Sequence, residues 1–262
     1  MLTPTLTYST MRPPTLGLST LSDPCRRHVL VTGGTRGIGH ALVEALVARG
    51  DRVVATGRTP ESSADAAQRW PQVRWMDADF LQPGAAALLA QRLAQDRFDL
   101  VLLNAGVQAL RDFRGDGVDE KWTVEEEVRI NLTAPIELCR SLRPLLSPEA
   151  TVVLVTSGLA LAPKRSSPVY CATKAGLRSF CKTLRAQWAA DGLRVVEALP
   201  PLVDTDMTRG RGRGKLAPAE AARQLLRGVD RRTNEIDIGA TRLLRAVMRL
   251  SPALGERLMR DR

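Results

Sequence analysis

The chain has 262 residues, 44% of them hydrophobic, which suits one undivided α/β domain with a full core. No apolar run reaches the roughly 18 residues of a membrane-spanning helix, and residues 1–26 lack the continuous apolar stretch of a signal peptide. The net charge of +10 is uneven: residues 209–262 hold 14 basic and 6 acidic side chains, whereas residues 1–208 hold 24 and 22.

Residues 1–26, rich in Thr, Ser and Pro, read as a flexible leader before a single domain over 27–262. In chain order, "RHVLVTG" (27–33) reads as a strand, "HALVEALVARG" (40–50) as a helix stopped by Gly50, and "RVVATG" (52–57) as a second strand. "VRWMDAD" (73–79), "DLVLLNAG" (99–106), "TVVLVTS" (151–157), "LRVVEALP" (193–200) and "NEIDIG" (234–239) continue the series, with helices over 85–95, 125–146, 168–190 and 240–259. Strands that are apolar throughout are covered on both faces. Their alternation with helices predicts a doubly wound parallel sheet of about seven strands, crossed over right-handedly, with helices on both faces. The last helix puts Leu243, Leu244, Val247, Leu250 and Leu254 on one side and is expected to cover its own domain. Cys25, Cys139, Cys171 and Cys181 show no metal or disulfide spacing, which fits a reducing cytoplasm and no metal site.

Between the first strand and the first helix lies "TGGTRGIG", residues 32–39. A tight turn there aims backbone amides and a helix N-terminus at one point, a geometry that binds a pyrophosphate. Its glycines follow Gly33-x-x-x-Gly37-x-Gly39, with Thr35, Arg36 and Ile38 between them. An acid ending the second strand would bind a ribose 2′-hydroxyl and repel a 2′-phosphate. This chain has Arg58 there and Arg36 in the turn, so NADP(H) is favoured over NAD(H). Asp79, followed by Phe80, is placed to accept from an adenine amino group. Asn104, Ala105 and Gly106 end the fourth strand with small residues that allow a cofactor to lie close.

"SSPVYCATKAGLRSF" (166–180) holds one of the chain's two Tyr residues and, four positions on, a Lys. On a helix Tyr170 and Lys174 share a face. An ammonium beside a phenol, with an oxidised nicotinamide near, favours the phenolate and suits the Tyr to proton transfer with a carbonyl oxygen. Lys174 also supplies donors to ribose hydroxyls.

In TGGTRGIG, NAG, Asn131 within "INLTAP", Ser157 and Tyr170-Cys-Ala-Thr-Lys174, over about 27–240, the chain resembles the short-chain dehydrogenase/reductase family in its GxxxGxG subtype. The resemblance implies a Rossmann-like fold, Ser157 polarising the substrate oxygen, Tyr170 as acid/base, Lys174 lowering the Tyr pKa and binding ribose, and Asn131 anchoring a proton-relaying water. It also implies a homodimer or homotetramer. Where that family has Pro-Gly after the sixth strand, this chain has Pro200-Pro201, so the loop there is expected to start stiffly. "VDTDMT" (203–208) resembles the family's segment around the nicotinamide carboxamide, with Val203 and Thr205 as contacts, and Cys171 is expected to carry no chemistry. "NEIDIGATRLLRAVMRLSP" resembles the ending of bacterial oxidoreductases named after the DltE protein.

The segment 202–227 reads as a lid tipped by "RGRGRGK". Arg209, Arg211, Arg213 and Lys215 suit an anionic or carrier-bound substrate; a solvated basic loop is the plainer reading. The function expected is an NADP(H)-dependent oxidoreductase acting on a carbonyl or secondary alcohol, in the first place a ketoreductase. A nucleotide-sugar epimerase or dehydratase, or a cofactor-sensing protein without catalysis, are the alternatives. Nucleic-acid attraction rests on the basic tail alone and would be non-specific.

Overall fold

A computed structural model of the chain describes residues 26–115 and 121–260. The expected leader, with Cys25, lies almost wholly outside the described residues. Seven strands, β1 (His28–Val31), β2 (Arg52–Gly57), β3 (Arg74–Asp77), β4 (Phe98–Leu103), β5 (Leu146–Val155), β6 (Arg194–Leu199) and β7 (Glu235–Asp237), form one sheet in the order β3-β2-β1-β4-β5-β6-β7. Every pairing is parallel. The helices are α1 (Gly37–Ala48), α2 (Pro60–Arg69), α3 (Ala85–Arg92), α4 (Val124–Val128), α5 (Ala134–Leu142), α6 (Pro168–Trp188), α7 (Pro218–Asp230), α8 (Thr241–Leu250) and α9 (Pro252–Arg260).

Successive strand residues point to opposite faces, and here both faces are covered. Val29, Val31, Leu100, Leu102, Val153 and Val155 pack with Leu42 and Leu46 of α1 and Leu225 and Leu226 of α7. Leu30, Val101, Leu103, Val152 and Leu154 pack with Leu89 of α3, Leu138 and Leu142 of α5, and Leu177 and Leu184 of α6. This double burial is the physical reason the strands read as unbroken apolar runs. The strand order reverses at β1, so the carboxyl ends of β1 and β4 flank the crevice where doubly wound sheets bind ligands.

Five expectations change. The helix read over 125–146 divides into α4, a π-helical turn at Arg129–Thr133, α5 and a 3₁₀ turn at Arg143–Leu145. β5 begins at Leu146 rather than 151, with a register shift opposite Phe98 and Leu100. The helix read over 240–259 breaks at Ser251, which is extended (φ −153°, ψ 96°) because Pro252 disfavours a helical residue before it. Nor does that helix simply cover its own domain: Leu244 and Val247 are half-buried, but Leu243, Leu250 and Leu254 are exposed. Of the segment read as a lid, residues 218–227 belong to α7, whose Ala221, Ala222, Leu225 and Leu226 are core.

Leu154→Ala empties a fully buried site between the sheet and its helices. It is expected to cost about 2–5 kcal/mol in a urea titration, whereas Leu250→Ala, at a position 88% exposed, is expected to stay within about 0.5 kcal/mol.

Candidate active site

The glycine turn is held by the sheet beneath it. Gly33 has a φ of +68°, a conformation open to glycine at little cost; its N–H donates to Thr56 Oγ1 at 3.1 Å, and the Gly34 N–H to the Thr56 carbonyl at 2.8 Å. A Cβ on Gly39 would fall 2.0 Å from the Gly33 carbonyl oxygen, so only glycine lets α1 start this close to β1. The Thr32 hydroxyl accepts the N–H groups of Asn104 (3.0 Å) and Ala105 (3.2 Å), and Asn104 Nδ2 donates to the carbonyls of Thr32 and Gly33, both at 3.2 Å. These bonds tie the small-residue end of β4 to the turn. Arg36 at the start of α1 makes no capping bond, and the first turn has no acid, so its amides face the crevice without an internal anion.

A cleft of about 1170 Å³ runs from this turn to α8 and α9. Every candidate catalytic or cofactor-binding residue read from the sequence lines it except Gly39 and Asn131, which lie directly behind its wall, and of the four basic loop residues all but Arg209 line it. Arg36 and Arg58 are exposed at one end, and Arg58 lies 5.3 Å over the ring of Trp122. Asp79 Oδ1 accepts the Leu81 N–H at 3.1 Å, so part of that carboxylate already caps its own turn. Phe80 and Val203 border the cleft, but their side chains belong to the two core clusters. The Thr205 methyl packs against Gly37, where a Cβ would come within 3.1 Å, bringing the loop after β6 back over the turn.

At the other end stand Ser157, just past β5, and Tyr170 and Lys174 in the first turns of α6. Tyr170 and Lys174 share a face, with the Lys174 Nζ 5.6 Å from the phenol ring centroid. Lys174 is 3% exposed and donates to the Val155 carbonyl at 3.0 Å. Burial pushes the ammonium down to about 8, opposed by the charge of Glu127. Burial likewise pushes the Tyr170 phenol up to about 12, against the hydrogen bond from Ser157 and the charge of Arg211. A phenol held below its ordinary value by Lys174 is therefore not a property of the chain alone: desolvation outweighs the neighbouring charges.

Asn131 sits in the π turn between α4 and α5. Its Oδ1 accepts the Val107 N–H at 2.9 Å and its Nδ2 donates to the Val107 carbonyl at 2.8 Å. The amide is thus fully engaged in pinning the chain beyond Gly106. π turns of this kind recur at functional sites, where they re-aim a helix.

Sequence reasoning passed over Thr32, Gln108, Trp122 and Glu127. Glu127 is fully buried, accepts the Ala109 N–H at 3.1 Å and lies 3.5 Å from Arg111; within the run Glu125–Glu127 nothing distinguished it from a solvated acid. Thr32 stood in the glycine motif, but its hydroxyl matters only because β4 lies beside β1. Cys139, Cys171 and Cys181 are free and buried, and burial pushes each thiol upward, away from a reactive thiolate. Among the described residues no cluster could hold a metal ion, and no helix is long and apolar enough to cross a membrane.

Residues 27–215 match the family model described as short chain dehydrogenase. The uncharacterised oxidoreductase DltE of Bacillus subtilis (strain 168) is 38% identical over 185 residues, covering 69% of this chain and 73% of that protein. The 3-oxoacyl-[acyl-carrier-protein] reductase FabG of Escherichia coli (strain K12) is 28% identical over 189 residues, 69% of this chain and 75% of its own. Among solved structures, a short chain dehydrogenase from Burkholderia cenocepacia J2315 in complex with NADP superposes with a TM-score of 0.79 at 26% identity, covering 89% of this chain and 97% of that one. A family model that spans most of the chain, a relative alike over two thirds of it, and a shared sheet topology agree: this protein belongs to the short-chain dehydrogenase family, which points to an oxidoreductase.

Proposed function

We propose that the chain is an NADP(H)-dependent oxidoreductase that interconverts a carbonyl compound and a secondary alcohol, in the first place a ketoreductase. The observation that carries this reading is the convergence of Ser157, Tyr170 and Lys174 on a cleft whose far end offers free helix amides and two guanidiniums. The residues present fit a nicotinamide dinucleotide: a Cβ on Gly39 would destroy the turn that cradles it, and no acid occupies the first turn of α1. Arg36 and Arg58 would hold a 2′-phosphate, Asp79 the adenine, and Thr205 with the loop after β6 the nicotinamide end. That loop, 202–217, serves as the lid.

When bound, the cofactor supplies or takes the hydride; the chain's own residues manage the oxygen and its proton. Ser157 donates to the substrate oxygen and orients it. Tyr170, with its proton retained by burial, gives that proton to the oxygen during reduction, and the alcohol forms. Lys174, fixed by the Val155 carbonyl, keeps donors for ribose hydroxyls and offsets the phenolate left behind. Asn131 acts as a positioning residue through Val107, and a relay water would use its main chain, since its amide is engaged. Free cysteines among the described residues support a cytoplasmic enzyme, and the exposed leucines of α8 and α9 support a homodimer or homotetramer.

Three outcomes test the reading. Tyr170→Phe should bind NADPH like the parent but lose at least about 10²-fold in turnover, followed by NADPH absorbance; turnover equal to the parent would refute the assignment. The rate of reduction should fall as pH rises through about 8, where Lys174 loses its charge, because the ammonium is needed beside the forming phenolate. Arg36→Ala combined with Arg58→Ala should raise KM for NADPH about tenfold or more while moving KM for NADH far less; equal changes for both cofactors would remove the argument for NADP(H).

A further inference from the structure

We propose that the cleft holds a second anion site, built by Arg211 from the loop after β6 and Lys164 from the segment before α6, which binds the carboxylate or phosphate of an amphipathic carbonyl substrate. The proposal rests on the reading above only in that Tyr170 marks where the reacting oxygen lies.

The fold separates four basic residues that look alike in sequence. Arg209 is exposed and paired with Asp206. Lys215 donates to Asp204 Oδ1 at 3.1 Å and to the Thr208 carbonyl at 2.8 Å, closing the neck of the loop. Arg213 is exposed. Arg211 is the one half-buried arginine of the loop, and among the described residues its guanidinium makes one long contact, 3.4 Å, to Gln108 Oε1, a neutral amide held in turn by Ser167 Oγ at 3.0 Å. Five donors with one weak partner leave most of the fork unused.

Lys164 lines the same cleft and is also half-buried. Its backbone is fastened by a bond from its N–H to Cys171 Sγ at 3.3 Å and by the Ser167 N–H on its carbonyl at 3.2 Å. Burial, then the charge of Arg211, pushes its ammonium downward, and Cys171 opposes them only in part. Among the described residues no carboxylate pairs with Arg211 or Lys164. Two like charges, partly desolvated and close enough to perturb each other, are a cost that an anion between them removes. Arg211, Lys164 and Tyr170 line the same cleft, so that anion shares it with the reacting oxygen.

The cofactor's phosphates have their own donors at the opposite end, in α1, Arg36 and Arg58. Beyond the Arg211–Lys164 pair the wall turns apolar: Leu159, Leu243, Leu244, Val247, Leu258 and Met259 line it. A bond from the Arg165 N–H to the Arg260 carbonyl at 3.1 Å fastens the end of α9 beside the Lys164 segment. A charged head and an apolar chain therefore find complementary surfaces on either side of one point.

Calorimetry on the full chain loaded with NADP+ tests this with octanoate, octyl phosphate and octanamide as probes. The anions should bind at least about tenfold more tightly than the amide, and Arg211→Gln or Lys164→Gln should abolish that preference, whereas Arg209→Gln should keep it. The tighter of the two anions identifies the head group. Equal binding of anion and amide, a preference that survives both substitutions, or a loss confined to NADP+ affinity would overturn the proposal. Oxidation of NADPH with 3-oxooctanoate is read separately: anion preference without oxidation sinks the oxidoreductase reading and leaves the site, whereas oxidation without anion preference does the reverse.

Discussion

The Thr32 hydroxyl, accepting the amides of Asn104 and Ala105, is the junction on which both ends of the cleft depend. It joins the glycine turn to the end of β4 at the reversal of strand order, where parallel strands leave their carboxyl ends apart. From that junction the chain runs through Gly106, where a Cβ would crowd Asn131 Oδ1 at 3.1 Å and Lys174 Nζ at 3.5 Å. The glycine turn and the buried ammonium are thus separated by little more than one tripeptide, and neither can shift without the other.

Burial then sets the chemistry. Lys174 would be costly as an isolated buried charge; the Val155 carbonyl and the charge of Glu127 offset part of that cost. Tyr170 keeps its proton for the same reason. The chain on its own therefore holds a phenol that keeps its proton, a lysine whose ammonium burial pushes down to about 8, and a serine bonded to that phenol.

A second network ties α8 and the apolar end of the cleft to this centre. Glu197 on β6 is fully buried, accepts the Thr156 hydroxyl at 2.7 Å next to Ser157, and pairs with Arg178 of α6. Arg178 reaches Glu235 on β7 at 3.4 Å, and Arg245 of α8 donates to Asp237 at 2.8 Å. Buried pairs of this kind contribute position more than stability. Here they set α8, which lines the apolar end of the cleft, against the helix that carries Tyr170 and Lys174.

Most of the architecture was legible because its causes are local: strands buried on both faces are continuously apolar, and helix spacing puts Tyr170 and Lys174 on one face. The breaks were less so. The π turn carries Asn131 to hydrogen bonds with Val107, 24 residues away, which no local pattern announces, and the break between α8 and α9 was missed although Pro252 lay at it. The sequence by itself determined the alternation of elements, the glycine turn and the pairing of phenol with lysine, since each follows from spacing along the chain. Only the tertiary structure decided that desolvation outweighs charge at Tyr170, that Glu127 is interior, and that one arginine of a basic loop is half-buried while its neighbours find acids or solvent. Those outcomes depend on which segments meet across the sheet's carboxyl edge, a distance in space that residue order does not encode.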